Sequence, residues 1–300
     1  VSLRSIVQKL GGDAYSGFSK ANIPAPGHSK HDRSVSLTIG DRGQVLARCF
    51  SSSCTWQEVL DHLRAEGLID RDNFPTGVGG GGVHHSSAPA VATDRERVAV
   101  ARKVWELGRS IAKSPAGIHH ARRAIDRDPG PDVVRFAFDT PVAPYGPSKK
   151  TYPAMLVAVR DHTGEITAVE ITYLDANGYR TNGLRLSRKT IGKVPTSSAC
   201  RIDQPAERML VGEGYFTTLS ATRRFRLPGW ALMSTANLRH WTPPETVREV
   251  LIAGDRGKDG EASAYFLRNR LRELGLKARV EFPPEGQGDW NDIDQAALAA

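Results

Sequence analysis

A chain of 300 residues has room for about two domains. Its 39% hydrophobic and 25% charged residues are enough to bury a core. It contains no run of about 18 apolar residues, which excludes an ordinary membrane-spanning helix. The opening Val1-Ser2-Leu3-Arg4 leads into polar sequence with no apolar h-region, so no secretory signal is expected. Three cysteines, Cys49, Cys54 and Cys200, are too few and too odd for a disulfide scaffold and suit a reducing cytoplasm. The formal charge of +8, from 41 Lys+Arg against 33 Asp+Glu, favours a polyanionic partner such as nucleic acid or nucleotide.

Residues 1–73 read as a compact unit. Leu3–Leu10 is a short helix closed by Gly11-Gly12. Val35–Ile39 alternates apolar and polar as a strand, Gly40–Gly43 is a turn, and Gln44–Phe50 returns. Trp56, Val59, Leu60 and Leu63 have helical spacing, with Gly67 as the stop. The expected core is Val35, Leu37, Ile39, Leu46, Phe50 and Trp56. Residues 74–95, with four consecutive glycines, read as a flexible linker in which His84-His85 are solvated loop residues. Residues 96–204 begin with a helix over Glu96–Ala112. Two strands follow, Ala154–Arg160 and Glu165–Tyr173, with a turn at Asp175–Gly178. From 205 to 300 strands alternate with helices. The strands are Arg208–Gly212, Trp230–Ser234, Glu249–Gly254 and Lys277–Phe282; the helices run through Thr217–Arg224 and Gly260–Leu274. This order predicts right-handed βαβ crossovers and a largely parallel sheet.

Ligands sit at the carboxyl ends of such strands. Glu213 stands there between Gly212 and Gly214, glycines that permit a tight turn and close approach of a ligand; Asp255 follows the next long strand in the same way. Two carboxylates at the ends of different strands of one sheet can converge on one point, and hard oxygen donors suit Mg²⁺ or Mn²⁺. Asp289 and Asp292 follow the last strand and can add acidic groups. The alternative is that these are isolated turn carboxylates.

Val211-Gly212-Glu213-Gly214-Tyr215-Phe216-Thr217-Thr218-Leu219 resembles the glutamate motif of the Toprim domain. Ile252-Ala253-Gly254-Asp255 with Gly260-Glu261-Ala262 resembles its aspartate motif, and Gly288-Asp289-Trp290-Asn291-Asp292 the closing motif of Toprim domains in phage and plasmid primases. Trp105–Ile125 and Tyr152–Gly178 are similar to the region before Toprim in those primases. Gly27-His28, Asp32–Leu37 and Cys49–Cys54 are similar to their N-terminal zinc ribbon. The resemblance, to the bacterial DnaG-like and phage type, implies an α/β chain. Its C-terminal Toprim domain would follow an α+β basic subdomain and a small zinc-ribbon-like β domain. It implies metal-assisted nucleotidyl transfer, with Glu213 as acid/base and metal contact and Asp255 as a Mg²⁺ ligand. It would place a second aspartate at Gly257; Asp259 is the substitute if the loop bends back. Arg256 and Lys258 beside it either contact phosphates or solvate the loop.

Between Lys149 and Lys193 there are eight Lys/Arg and four Asp/Glu. Lys149, Lys150, Arg180, Arg185, Arg188 and Lys189 are candidates for triphosphate and template contacts, against a solvated surface run. Arg122-Arg123 after His119-His120 combine packing with a phosphate contact. A structural Zn²⁺ needs four N or S ligands, for which His28, His31, Cys49 and Cys54 are the candidates. The alternative is a ribbon held by its apolar core without metal. The reading is a cytoplasmic primase of a phage, plasmid or other mobile element. It would make short RNA primers on single-stranded DNA from nucleoside triphosphates, with a separate replicative helicase as partner and no membrane. A non-catalytic Toprim-fold nucleic-acid-binding protein and a Toprim nuclease are the competing readings. No Walker A sequence occurs in the chain.

Overall fold

The computed structural model describes residues 3–30, 32–50, 54–76, 93–146, 149–184 and 186–299. The chain forms two compact units, Val1–Val91 and Ala92–Ala300. His84-His85 and most of the expected linker lie outside the described residues. Among the described residues no helix is long and apolar enough to cross a membrane.

The first unit comprises α1 (Arg4–Leu10), β1 (Asp13–Tyr15), β2 (Lys20–Ile23), β3 (Val35–Ile39), β4 (Val45–Cys49) and α2 (Trp56–Ala65). The strands form an antiparallel meander in chain order. Helix α2 starts at a capping box: Glu58 N–H donates to Thr55 Oγ1, and Thr55 N–H donates to Glu58 Oε2 at 2.6 Å. Its Val59, Leu60 and Leu63 pack with Leu3, Ile6, Ile23, Val35 and Leu37. The expected core holds at Val35 and Leu37 but not at Leu46, Phe50 and Trp56, which are more than half exposed. Leu46 points to the opposite sheet face from Val45, Phe50 lies past the strand end, and Trp56 opens the first turn of α2, away from the buried stripe.

The four expected zinc ligands are not assembled among the described residues. Cys49 and Cys54 are paired as a disulfide, against the expectation of free thiols. His28 Nδ1 lies 3.1 Å from an Asp32 carboxylate oxygen. His31 lies outside the described residues. Asp32 also accepts the Ala25 N–H and the Ser34 hydroxyl, which hold its carboxyl down at about 2. It thereby fixes the loop between β2 and β3.

The second unit begins with α3 (Asp94–Glu106), which starts at a Thr93/Glu96 capping box, and α4 (Pro115–Arg122). An antiparallel sheet follows, in the order β5 (Val134–Pro141), β6 (Thr151–Arg160), β7 (Ile166–Tyr173) and β8 (Arg188–Gly192). Strand β6 is buried continuously from Ala154 to Val159 because both faces are covered. On one face Ala101, Val104 and Trp105 of α3 meet Leu156, Val169, Ile171 and Ile191. On the other, Met155 and Val157 meet Ala116 of α4 and Tyr215 and Leu219 of the next helical layer.

That layer belongs to a five-stranded sheet, in the order β13 (Lys277–Glu281), β12 (Glu249–Ala253), β10 (Arg208–Gly212), β11 (Gly229–Ala231) and β9 (Cys200–Arg201). Four of these strands are parallel, and β9 is antiparallel. Side chains alternate across the sheet as period-2 strands require. Met209, Val211, Val250 and Ile252 pack on α7 (Lys258–Glu273) and on Leu238 of α6 (Thr235–His240). Leu210, Leu251 and Ala253 face Ala221 of α5 (Tyr215–Phe225) and Trp290 of α8 (Trp290–Ala299). The expected βαβ order is present. The strands missed in the sequence are β1, β2, β5, β8 and β9.

Candidate active site

Strands β10 and β12 are parallel neighbours with Gly212 opposite Ala253. Glu213 and Asp255 therefore leave the sheet at the same edge, where adjacent strands stand about 4.8 Å apart. The glycines there serve packing more than ligand approach. A Cβ on Gly212 would come within 2.5 Å of Thr218 Oγ1, and one on Gly254 within 2.4 Å of the Phe282 ring. Met233 N–H donates to the Glu213 carbonyl at 2.7 Å, and Arg256 N–H to the Gly288 carbonyl at 2.7 Å. These bonds fix the two connections.

Glu213, Asp255 and Asp289 line one cavity of about 170 Å³. Glu170 and Thr172 of β7, Arg188 of β8, Arg123, Arg180 and His119 also line it. Thr172 and Arg188 are direct cross-strand partners. Burial, then the charges of Glu213, Asp289 and Asp292, push the Asp255 carboxyl up to about 7. Burial also raises Glu213, against the pull of Arg188 and a hydrogen bond from the Thr235 N–H. Asp255 Oδ1 is buried with no hydrogen-bond partner. An orphaned carboxylate oxygen facing two further carboxylates fits a hard divalent cation. Among the described residues, no three His, Cys, Asp or Glu side chains stand close enough together, as placed, to hold a metal ion. These three acids instead face one open cavity.

The other acidic candidates stand differently. Asp289 and Asp292 cap α8: Asp289 Oδ1 accepts the N–H groups of Asn291 and Asp292, and Asp292 Oδ2 those of Gly288 and Asp289. Asp292 does not line the cavity, and Asp259 is exposed in the first turn of α7. Gly257, where the family pattern has an aspartate, has φ 109°. That backbone strains any L-residue, so the loop is shaped for glycine.

Of the basic candidates, Arg180 and Arg188 reach the cavity. Lys189 points the other way along β8, donates to the Val142 carbonyl and lies 5.3 Å from the Tyr173 ring centroid. Arg256 donates to the Pro283 carbonyl and pairs with Glu261. Lys149, Lys150 and Lys258 are exposed outside the cavity, Lys150 lying over the Tyr152 ring. Arg185 lies outside the described residues.

The sequence reading did not single out Glu170 or Thr172 and gave His119 no role. Glu170 is buried and accepts from Arg188 Nε at 3.1 Å. Its signal is a lone acid inside an apolar strand. His119, buried, uses Nδ1 to meet the Gly178 carbonyl at 2.8 Å, so that nitrogen carries the proton. Burial lowers its pKa, the Gly178 hydrogen bond pulls it back up, and the charges of Arg123, Arg180 and Arg122 lower it further. Arg123 has a buried Nε without a partner, and its guanidinium lies 5.1 Å from the Phe216 ring centroid. Asn291 donates to the Arg123 carbonyl at 2.6 Å and to Ser220 Oγ at 3.0 Å, clasping the end of α4 to the parallel-sheet layer.

Residues 95–202 match a domain of unknown function, DUF7146. No curated protein matches the chain in sequence. Among solved structures, the chain is similar to the zinc-binding and RNA polymerase domains of Aquifex aeolicus primase, at 12% identity and a TM-score of 0.43, over 100% of this chain and 82% of that one. It is similar to the primase fragment of the bacteriophage T7 primase-helicase, at 13% identity and a TM-score of 0.40, over 87% and 89%. The RNA polymerase domain of Mycobacterium tuberculosis primase DnaG matches at 15% identity and a TM-score of 0.44, over 70% and 83%. Residues 208–300 match the Toprim domain. The part of the chain that brings Glu213, Asp255 and Asp289 to one cavity thus belongs to the Toprim family.

Proposed function

We propose that this chain is a template-directed primase that joins ribonucleotides into short primers on single-stranded DNA. The observation that carries the reading is one cavity lined by the carboxylates of Glu213, Asp255 and Asp289 together with the side chains of Arg123, Arg180 and Arg188. Mg²⁺ or Mn²⁺ held by Glu213, Asp255 and Asp289 would supply Lewis-acid activation of a 3′-hydroxyl and neutralise triphosphate charge. Arg123, Arg180 and Arg188 bind the phosphates and orient the triphosphate for in-line attack. The 3′-oxygen bonds to the α-phosphorus, the bond to pyrophosphate breaks, and a Glu213 oxygen takes the hydroxyl proton. Glu170 holds Arg188 over the cavity. A mobile-element origin and recruitment by a separate helicase complete the reading.

The test is synthesis of labelled oligomers from ribonucleoside triphosphates on mixed-sequence single-stranded DNA with Mg²⁺ or Mn²⁺. Wild type makes short products, and Glu213→Gln makes none while folding normally. Gly257 in place of a second aspartate favours one other reading, a nucleic-acid-binding protein without catalysis. Strand binding with no product in either metal would select it.

A further inference from the structure

Beside the acidic cavity lies a second, wider groove of about 650 Å³, lined by Arg122, Arg123, Tyr179, Arg180, Asn182 and Leu298 among others. Arg123, Arg180 and His119 border both spaces. Tyr179 is 54% exposed, yet the turn that carries it is fixed. Asp175 Oδ1 accepts the N–H groups of Asn177 and Tyr179, each at 2.9 Å. Asp175 N–H donates to the Tyr179 carbonyl. From α4, Arg122 Nε donates to the Asn177 carbonyl at 2.8 Å, and His119 Nδ1 to the Gly178 carbonyl. Gly178, at φ 75°, sits so close to α4 that a Cβ would meet the His119 nitrogen at 2.8 Å. The Arg122 guanidinium carbon lies 3.7 Å from the Tyr179 ring centroid, and Arg122 Nη1 donates to the phenol oxygen.

One face of the ring is therefore backed by a cation, and the half-exposed ring lines the groove. A rigid exposed aromatic stacks on a planar base without paying ordering entropy. Asn182 offers both a donor and an acceptor for a base edge. Arg123, with its unpartnered Nε, and Arg180 lie where phosphates would pass toward Glu213 and Asp255.

We propose that this groove is a nucleobase site. Tyr179, backed by Arg122, stacks on one base of a strand or of a nucleoside triphosphate whose phosphates run past Arg123 and Arg180 into the acidic cavity. The inference rests on the reading of that cavity as a nucleotide site, but not on its catalysing synthesis.

The test uses the full chain and two probes applied separately, so that no turnover occurs: a labelled oligo-dT strand and ATP. Tyr179→Ala weakens binding of at least one probe about 5- to 100-fold, and Tyr179→Phe stays within about threefold of wild type. A loss confined to the strand identifies the ligand as a template or primer base; a loss confined to ATP identifies the incoming nucleotide. A strand of abasic sugar–phosphate units is bound equally by wild type and Tyr179→Ala. The proposal is overturned if Tyr179→Ala binds both probes as wild type does, or if the abasic strand shows the same loss. Wild type binding neither probe overturns this proposal and the primase reading together. Strand or ATP binding that depends on Tyr179 without primer synthesis overturns only the latter.

Discussion

Asp255 shows what the sheet edge does to a carboxyl group. Its ionised form is disfavoured by burial and by Glu213, Asp289 and Asp292. An acid raised to about 7 in the folded state keeps a proton that the unfolded chain releases near pH 4. Stability from this group is full below the unfolded value and is lost as the pH rises to the folded one. The metal-free protein should therefore lose melting temperature between about pH 4 and 7, and Asp255→Asn should flatten that fall. By pH 8 the variant should be about 1–3 kcal/mol more stable than wild type, with little difference near pH 4. Saturating Mg²⁺ should close the gap, and parallel melting curves across pH would contradict this. The Glu170–Arg188 pair gives a second prediction. Arg188→Ala leaves a buried acid without its partner and should cost about 1–3 kcal/mol in urea unfolding. Adding Glu170→Gln should recover most of that loss. Glu213 and Asp255 were legible because each ends an apolar run and begins a glycine-rich turn. Glu170 and His119 were not, since their partners, Arg188 and the Gly178 carbonyl, lie far along the chain and meet them only through strand register and loop docking.

At the scale of elements, the crossovers of the parallel sheet were readable from apolar strands separated by amphipathic helices. The short or half-polar strands were not. Strand β5, which alternates Arg135, Asp139 and apolar residues between proline-rich flanks, takes its extended form from pairing with β6. The turns around Glu213 and Asp255 were recognised, but the reason for their glycines lies in tertiary packing. Gly212 lets α5 approach its strand at Thr218. Gly212→Ala should destabilise the fold by about 1–3 kcal/mol through overpacking. Gly212→Ala with Thr218→Ala should regain part of that loss, because the clashing hydroxyl is gone. Equal stability of the single and double variants would place the cause elsewhere.

For the whole molecule, the surplus of +8 says less than the way individual cations are used. Arg180 and Arg188 face the cavity, whereas Lys189 and Arg256 are engaged by backbone carbonyls. Single-strand binding should weaken with salt, and Arg180→Ala or Arg188→Ala should each lower the log–log salt slope by about one unit. Lys189→Ala should leave the slope unchanged. Binding with no salt dependence would remove the cationic wall from the account. The central claim is that the acids of the parallel sheet hold a divalent cation facing those arginines. Electron paramagnetic resonance titration of Mn²⁺ tests it most directly. Wild type should immobilise Mn²⁺, and Asp255→Asn and Glu213→Gln should each release it while keeping their fold. Undiminished Mn²⁺ binding in both variants would contradict the claim.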